Sequence, residues 1–260
     1  GSGDEILVRS GTYALFGLVL NQVTNLTIRG GYDASGAPYA GETVLTTEGI
    51  VSPTTDKRFI VVRHSEVTLD NLTFTKGTNL DTSDLYGQAL GVKDESDVTV
   101  TNCVFRQNGI DSVGTEMGAF YGGAIAVSGG RLTVADSVFS GNRLMGGYQN
   151  IQPYGGAISA SGNAVVSVMG CTFDQNHVQM THARAGGGGA LFFGSGVQAT
   201  VESCLFTTNY ARTSSGNDVY WPQDGYGPYG GAIYASSATL RLKDLKIVGG
   251  GAVHGYNKDT

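Results

Sequence analysis

Apolar and small polar residues alternate along short segments of this chain, and equivalent segments return every 33 or 34 residues. Counting back from a recurring phenylalanine, the residues two, five and seven positions earlier are apolar or small in nearly every copy. Threonine or serine stands between the last two of these positions. A period of two predicts β-strands rather than helices, and the enrichment in valine and threonine favours the same assignment.

Two short phrases mark the repeat. Gly-Gly-Ala followed by Ile or Leu stands at residues 122–125, 155–158, 188–191 and 230–233, with a degenerate copy at 87–90. The phrase Phe-x-x-Asn lies between these copies, at Phe105 and Asn108, Phe139 and Asn142, Phe173 and Asn176, and Phe206 and Asn209. Two motifs interleaved at one period predict a solenoid whose coils stack and bury a continuous core.

Each repeat is predicted to contain three short strands joined by turns and closed by a variable loop. Equivalent strands in successive repeats must run parallel, which predicts an all-β, single-stranded parallel β-helix over residues 1–260, with about seven coils spaced roughly 4.8 Å apart. A β-sandwich or a propeller is the alternative, but a propeller blade needs four strands in about 40 to 50 residues. We therefore expect the recurring Phe and Asn residues to form structural ladders along the rod.

Two columns of turn residues accompany the strands. Three positions after the phenylalanine column only Gly or Asn is found, at Gly31, Gly77, Asn108, Asn142, Asn176, Asn209 and Gly250. Because these two residue types tolerate a left-handed backbone best, we expect φ above zero at these positions. Three positions before the phenylalanine column, a second turn is predicted at Asn71, Asn102, Asp136, Gly170, Ser203 and Asp244.

Charge and cysteine usage narrow the possible functions. The chain has 16 Lys plus Arg against 22 Asp plus Glu, a net charge of −6 that argues against a nucleic-acid partner. It has no run of 18 or more apolar residues, so no membrane-spanning segment is predicted. Cys103, Cys171 and Cys204 fall in one inward column and are predicted to be buried free thiols rather than catalytic or metal-binding residues.

Signals for catalytic or metal chemistry are sparse. The expected outward positions on the Gly-Gly-Ala strand carry no side chain that ionises at neutral pH, and no column stacks Asp or Glu over several coils, which argues against a polysaccharide-cleaving enzyme. Those positions are Ala89, Gly91, Ala124, Ala126, Ala157, Ser159, Ala190, Phe192, Ala232 and Tyr234. We predict no catalytic residue, no metal and no cofactor. The weak alternatives are a metal on His177 and His182 and calcium on Asp81, Asp84, Asp94, Glu95 and Asp97.

The variable loops all leave the coil between the Asn and the next Gly-Gly, so stacked coils place them along one edge of the rod. They cover residues 78–86, 109–121, 143–154, 177–187 and 210–229. We predict that aromatic side chains there form a ridge that binds a host-cell protein or glycan. The candidates are Tyr148, Tyr210, Tyr220, Trp221 and Tyr226. The alternative is that these aromatic residues cover the rod's own strands, which suits the tyrosine before Gly-Gly best.

The paired Gly-Gly-Ala-Ile and Phe-x-x-Asn phrases, with the opening residues 3–13 and the segment 28–33, resemble the chlamydial polymorphic membrane proteins, which are autotransporter-type adhesins. The likeness covers nearly the whole chain. It implies a right-handed β-helix displayed extracellularly at a bacterial outer membrane, as the non-enzymatic passenger segment of a longer adhesin with flanking domains. The alternative class is a pectate-lyase-like polysaccharide lyase or hydrolase, or a tailspike-like depolymerase.

Overall fold

The computed structural model describes residues 3–50, 56–79, 87–110, 118–146, 151–180, 186–213, 228–250 and 254–256. In these residues every element is a β-strand, and three parallel sheets of eight strands each run side by side along the molecule. The chain passes through the three sheets in turn and then starts the next coil. The prediction of an all-β parallel β-helix is thereby confirmed.

The strands of the three long sheets alternate along the chain. Sheet 1 contains β1 (Asp4–Arg9), β4 (Leu26–Tyr32), β8 (Glu66–Asp70), β12 (Asp97–Thr101), β17 (Arg131–Ala135), β22 (Val165–Met169), β27 (Gln198–Glu202) and β32 (Thr239–Lys243). Sheet 2 contains β2 (Gly11–Ala14), β5 (Thr43–Thr46), β9 (Thr73–Thr75), β13 (Val104–Arg106), β18 (Val138–Ser140), β23 (Thr172–Asp174), β28 (Leu205–Thr207) and β33 (Lys246–Val248). Sheet 3 contains β3 (Leu18–Asn21), β7 (Ile60–Arg63), β11 (Leu90–Lys93), β16 (Ile125–Ser128), β21 (Ile158–Ser161), β26 (Leu191–Phe193), β31 (Ile233–Ser236) and β34 (His254–Tyr256).

The variable loops also contain strands, which the sequence did not predict. Sheet 4 is made of β14 (Gly109–Ile110), β19 (Arg143–Gly146), β24 (His177–Met180) and β29 (Tyr210–Thr213). Sheet 5 is made of β15 (Gly118–Tyr121), β20 (Ile151–Tyr154), β25 (Gly186–Gly187) and β30 (Pro228–Tyr229). Both sheets are parallel, so the two arms of each loop pair with the arms of the loop above and below. A short antiparallel pair joins β6 (Asp56–Lys57) and β10 (Thr78–Asn79).

The coil count differs slightly from the predicted seven. Each long sheet holds eight strands, and five central turns carry a phenylalanine at the same position of sheet 2. The outer turns carry Leu45, Tyr13 or Ile247 there instead. About five regular turns therefore stand against the predicted seven, because the prediction also counted the end coils at Gly31 and Gly250, which lack the phenylalanine.

A ladder of phenylalanine rings fills the middle of the rod. Successive rings from Phe74 to Phe206 stack nearly parallel, with centroids 4.7, 4.9, 4.9 and 4.8 Å apart. Their spacing equals the distance between hydrogen-bonded strands because equivalent residues pair directly, as Phe139 does with Phe173. All five rings are fully buried. Stacked aromatic pairs add roughly 0.5–1.5 kcal/mol each to the stability gained from burial.

A ladder of asparagine side chains lies at the corner after sheet 2. Asn108, Asn142, Asn176 and Asn209 are buried, and each of the first three donates its side-chain amide to the Oδ1 of the next, over 3.0, 2.9 and 3.0 Å. The same Oδ1 accepts the backbone N–H of the asparagine one coil earlier. Each amide also donates to a phenylalanine carbonyl, such as that of Phe105 for Asn142. The ladder therefore satisfies buried backbone groups that the bend leaves without sheet partners.

The predicted positive φ at Gly77 and at these four asparagines is wrong by one residue. The left-handed residue is the one before them, at Lys76, Gln107, Gly141, Gln175 and Thr208, with φ between 51° and 63°. Bending one residue earlier turns the asparagine side chain inward, where its amide can reach the coils above and below. The second predicted turn column does bend as expected, with φ between 48° and 62° at Asn71, Asn102, Asp136, Gly170, Ser203 and Asp244.

The Gly-Gly pair makes the corner before sheet 3, and its two glycines are needed for different reasons. Gly155 has φ of +73°, and a Cβ there would lie 2.3 Å from the carbonyl oxygen of Ile158. Gly156 has ordinary φ, but a Cβ would lie 2.1 Å from the carbonyl oxygen of Gly189 in the next coil. The first glycine permits the bend, and the second permits the next coil to approach.

The alanine after Gly-Gly points inward, which corrects the outward assignment of Ala89, Ala124, Ala157, Ala190 and Ala232. All five are buried in the core. Ala124 and the following Ile125 both donate their N–H to the carbonyl of Ala157, so the regular alternation of a strand is interrupted here. An irregularity of this kind, like a β-bulge, lets two consecutive residues face the same side. The outward position is the one two residues after this alanine, as at Ala126 and Ser159.

Candidate functional site

The corner that carries the loops has its own small core. Ile110, Phe120 and Leu144 form a buried apolar cluster between sheets 4 and 5, and Val178 and Met180 are also buried. In β19 and β24 these apolar residues alternate with partly exposed polar residues or methionine. The arms of the loops are therefore fixed to the rod by packing as well as by hydrogen bonds, and the loops leave it from a rigid base.

The outer surface of sheet 4 presents cationic and aromatic side chains in register. Arg143, His177 and Tyr210 occupy one column in successive coils, and Gln179 and Arg212 occupy the next column of β24 and β29. We call the face made by Arg143, His177, Gln179, Tyr210 and Arg212 the basic face. Its side chains are partly or fully exposed, and no Asp or Glu occurs in the four strands of sheet 4.

Contacts within the basic face hold its side chains in place. The rings of His177 and Tyr210 stack with centroids 4.8 Å apart and planes 11° from parallel. The guanidinium of Arg212 lies 4.7 Å from the centre of the Tyr210 ring and donates to Gln179 Oε1 over 3.2 and 2.9 Å. Cation–π contact and paired hydrogen bonds orient the guanidinium along the surface of the sheet.

A second group of aromatic rings covers the outer surface of sheet 3. Tyr121 and Tyr154 stack at 5.7 Å, Tyr154 and Phe192 at 4.3 Å, and Tyr229 and Tyr234 at 5.1 Å. Phe192 also contacts Tyr234, with centroids 5.5 Å apart, which joins all five rings. We call this group the aromatic cover. Beneath it the outward residues Ala126 and Ser159 are buried.

In one coil the aromatic ring of the aromatic cover comes from the outward position of the strand instead of the position before Gly-Gly. In one coil Gly187 replaces the tyrosine that precedes Gly-Gly, and Phe192 replaces the small outward residue of the strand. The Phe192 ring then stacks in the row of tyrosines. Burial is the main cause that raises the pKa of Tyr154 to about 12. The rings contact one another and the strand below, so the tyrosine before Gly-Gly serves the rod itself.

The other predicted ridge residues have different outcomes. Tyr210 lies on β29, within the basic face. Tyr148, Tyr220, Trp221 and Tyr226 lie outside the described residues. The sequence did not single out Arg143, Gln179 and Arg212, although the alternation of polar and apolar residues immediately after each ladder asparagine contained the signal.

Acidic side chains on the outer surface of sheet 1 are paired across coils. Asp70 accepts hydrogen bonds from Arg29 Nε and Thr101 at 2.8 Å and from Asn102 at 2.9 Å. Burial acts to raise the pKa of Asp70, but these three hydrogen bonds outweigh it and lower the pKa. Glu202 pairs with Lys243 in the same way. Ion pairs near the surface contribute about 0–1 kcal/mol each to stability.

The candidate metal residues do not form a cluster in the described structure. Asp94 and Glu95 have positive φ and form a turn, while Asp97 Oδ2 forms an ion pair with Arg131 Nε at 3.4 Å. His182, Asp81 and Asp84 lie outside the described residues. In the part of the chain that the structure describes, no group of three or more His, Cys, Asp or Glu side chains is placed to hold a metal ion.

Among the described residues, none forms a helix with the length and apolar character needed to cross a membrane.

The three cysteines are free and buried, and each stands immediately before a strand of sheet 2 in one inward column. Cys171 and Cys204 each donate to the carbonyl two residues earlier, over 3.2 and 3.1 Å. Ser137 does the same over 2.8 Å, so a hydroxyl and a thiol are interchangeable in this column. Burial raises the pKa of Cys103 to about 12, which keeps it protonated at neutral pH. The thiols serve as small core residues that also bond the backbone.

Fold and corner together define the chain as a parallel β-helix that carries stacked loops on one edge. A model of the right handed beta helix region matches residues 21–247. The chain therefore belongs to the right-handed β-helix family. No curated protein and no solved structure matches it.

Proposed function

We propose that this protein is a non-enzymatic binding module, a rigid rod that displays a row of loops to a host-cell protein or glycan. The observation that carries the proposal is the register of sheets 4 and 5, in which both arms of every central loop pair with the loops of adjacent coils. Loop arms held at fixed spacing form one continuous surface, and we expect such an arrangement to suit binding better than turnover.

The physical advantage of this design is preorganisation. A loop whose two arms are already ordered loses less conformational entropy when a partner binds, so more of the contact energy appears as affinity. Repetition at roughly 4.8 Å also allows several loops to engage one extended ligand at once. The stacked Phe and Asn ladders supply the stiffness that keeps the row aligned.

We further propose an extracellular position on a bacterial surface, where this segment would be the passenger part of an adhesin. The resemblance of the paired phrases to chlamydial polymorphic membrane proteins supports this setting. The competing function is a carbohydrate-cleaving enzyme. Against it stand the ion-paired carboxylates of sheet 1 and the outward column of sheet 3, whose residues Ala126, Ser159, Phe192 and Tyr234 are not acids or bases at neutral pH.

Replacing Tyr220 and Trp221 together by alanine is expected to weaken adhesion about tenfold or more. Large aromatic side chains at the centre of an interface typically carry most of its affinity. The measurement is binding of the purified chain to cultured host cells and to a glycan array. Tyr39→Ala is the matched control, since Tyr39 is 60% exposed and lies outside the loops of the corner.

Equal binding by the double variant and the parent chain would defeat the loop-ridge proposal. A second assay addresses the competing enzyme, with a panel of uronate polysaccharides and absorbance detection of unsaturated products. Turnover that scales with protein concentration would overturn the non-enzymatic function.

A further inference from the structure

The basic face differs from the rest of this acidic protein in charge. Arg143 and Arg212 lie on strands that contain no Asp or Glu, in a chain whose net charge is −6. The carboxylate of Asp174, on the neighbouring sheet 2, accepts hydrogen bonds from Thr207 and Thr208. The four strands of this face therefore carry positive charge and no negative charge of their own, which favours an anionic ligand.

The groups on this face also suit a ligand that carries hydroxyls. Gln179 supplies an amide beside the guanidinium of Arg212, and the His177 and Tyr210 rings form a rigid stacked pair one coil apart. Arginine binds carboxylate and sulfate-like groups through a fixed fork of donors. Gln179 Oε1 accepts from the Nε and Nη2 side of Arg212, which leaves the Nη1 and Nη2 edge of the guanidinium for an anionic group. Polar and aromatic groups arranged along the rod axis match a linear polymer that runs across the coils.

The sheet geometry disfavours an acidic peptide as the occupant. Peptides are commonly bound by addition to a free strand edge or by insertion into an apolar groove. Strand β24, at the middle of the basic face, is paired on both sides, to β19 and to β29. Strand β29 is the edge of sheet 4, but a peptide added there would lie beyond Arg212 and would not cross β24 to reach Arg143. Its apolar residues Val178 and Met180 face the small core beneath and are buried.

We propose that the basic face binds an anionic saccharide chain, one that bears sulfate or carboxylate groups, lying along the rod across β19, β24 and β29. This inference rests on the proposed binding function and names its ligand class. Arg143 and Arg212 contact the anionic groups, and Gln179 and Tyr210 contact the sugar hydroxyls. Because the contacts are partly exposed, binding weakens as salt concentration rises.

The test compares binding of dextran sulfate and of unsulfated dextran of the same length, by calorimetry. The parent chain is expected to bind only the sulfated polymer. The double variant R143Q/R212Q is expected to bind it about tenfold more weakly. The control R106Q/R241Q changes the net charge by the same amount on sheets 2 and 1, and its affinity is expected to stay within about twofold of the parent value.

A second variant, Gln179→Glu, places a negative charge at the centre of the face and is expected to weaken binding without removing an arginine. Thermal unfolding of every variant checks that the fold is kept. Equal losses in R143Q/R212Q and in R106Q/R241Q would overturn the proposal, as would no binding by the parent chain, or equal binding of polyglutamate or DNA. If host cells still bind through Tyr220 and Trp221 while dextran sulfate does not bind, only this inference fails and the proposed function stands.

Discussion

Phe173→Ala is expected to lower the free energy of unfolding by about 3–5 kcal/mol, the usual cost of removing a fully buried ring from a packed core. Phe173 is fully buried between Phe139 and Phe206, at centroid distances of 4.9 and 4.8 Å, so its loss leaves a cavity with a ring on each side. Equilibrium unfolding in urea, followed by circular dichroism, measures the change. Phe16→Ala is the matched control, since Phe16 is partly exposed and outside the ladder.

The effect of Phe173→Ala should also be local. In a solenoid each coil contacts chiefly its two neighbours, so a defect spreads mainly to the adjacent coils. Hydrogen exchange of backbone amides is expected to accelerate most in β18, β23 and β28, and least in β5. A loss of stability no greater than that of Phe16→Ala would contradict the account of the ring ladder.

Asn142→Ala is expected to destabilise the rod by a similar amount, about 3–5 kcal/mol. The Asn142 side chain donates to Phe105 O and Asn176 Oδ1 and accepts both N–H and amide of Asn108, all within the buried corner. Each buried polar group left without a partner costs about 1–3 kcal/mol. Urea unfolding again gives the magnitude.

A control variant distinguishes the loss of the ladder's hydrogen bonds from the effect of replacing any asparagine by alanine. Asn21→Ala changes an exposed asparagine at the end of β3 and is expected to alter stability by no more than about 0.5 kcal/mol. Asn142→Asp tests the same ladder differently, because a carboxylate cannot donate to the Phe105 carbonyl and would place a charge in the core. A stable Asn142→Asp variant at neutral pH would contradict the proposed role of the amide.

The repeat could be predicted because matched residues touch their own copies. Phenylalanine at position 139 contacts phenylalanine at 105 and 173, so packing imposes the same residue type on successive coils. The period, the parallel strands and the inward cysteine column all follow from that condition. The first two coils were harder to align because β2 and β5 use Tyr13 and Leu45 in the phenylalanine column, while Ile28 lies in sheet 1.

Other features could not be predicted because one residue type serves two purposes. Asparagine is common both at left-handed turns and in buried ladders of hydrogen-bonded side chains, and the motif Phe-x-x-Asn does not show which role it has. Only the geometry shows that Gln107 bends and Asn108 bonds. Likewise the inward alanine at 124 depends on a shared carbonyl at Ala157, which a period of two does not contain.

The sequence predicted the corner from which the loops leave, but it did not predict the charged residues on the strands there. The loops do start from one corner, because the insertions fall between the same two phrases in each repeat. Arg143 and Arg212 could not be paired from the sequence because they are separated by 69 positions and lie on one face only when the arms of the loops pair.

The central claim is that successive coils stack in register, and distances between spin labels on one outward column test it most directly. The column contains Thr27, Thr68, Thr99, Thr133, Ser167 and Thr200 on the outer surface of sheet 1. The spin labels are introduced in a variant whose three native cysteines are replaced by serine. Serine suits these positions because Ser137 already occupies the same inward column as the cysteines.

Pulsed electron paramagnetic resonance should give a label-to-label distance of about 19 Å between positions Thr68 and Thr200, which are four coils apart. It should give about 24 Å between positions Thr27 and Thr200, since each coil adds roughly 4.8 Å. A linear increase with coil number is the result expected. Distances that do not increase with the number of intervening coils would contradict the stacked rod, and with it both binding surfaces.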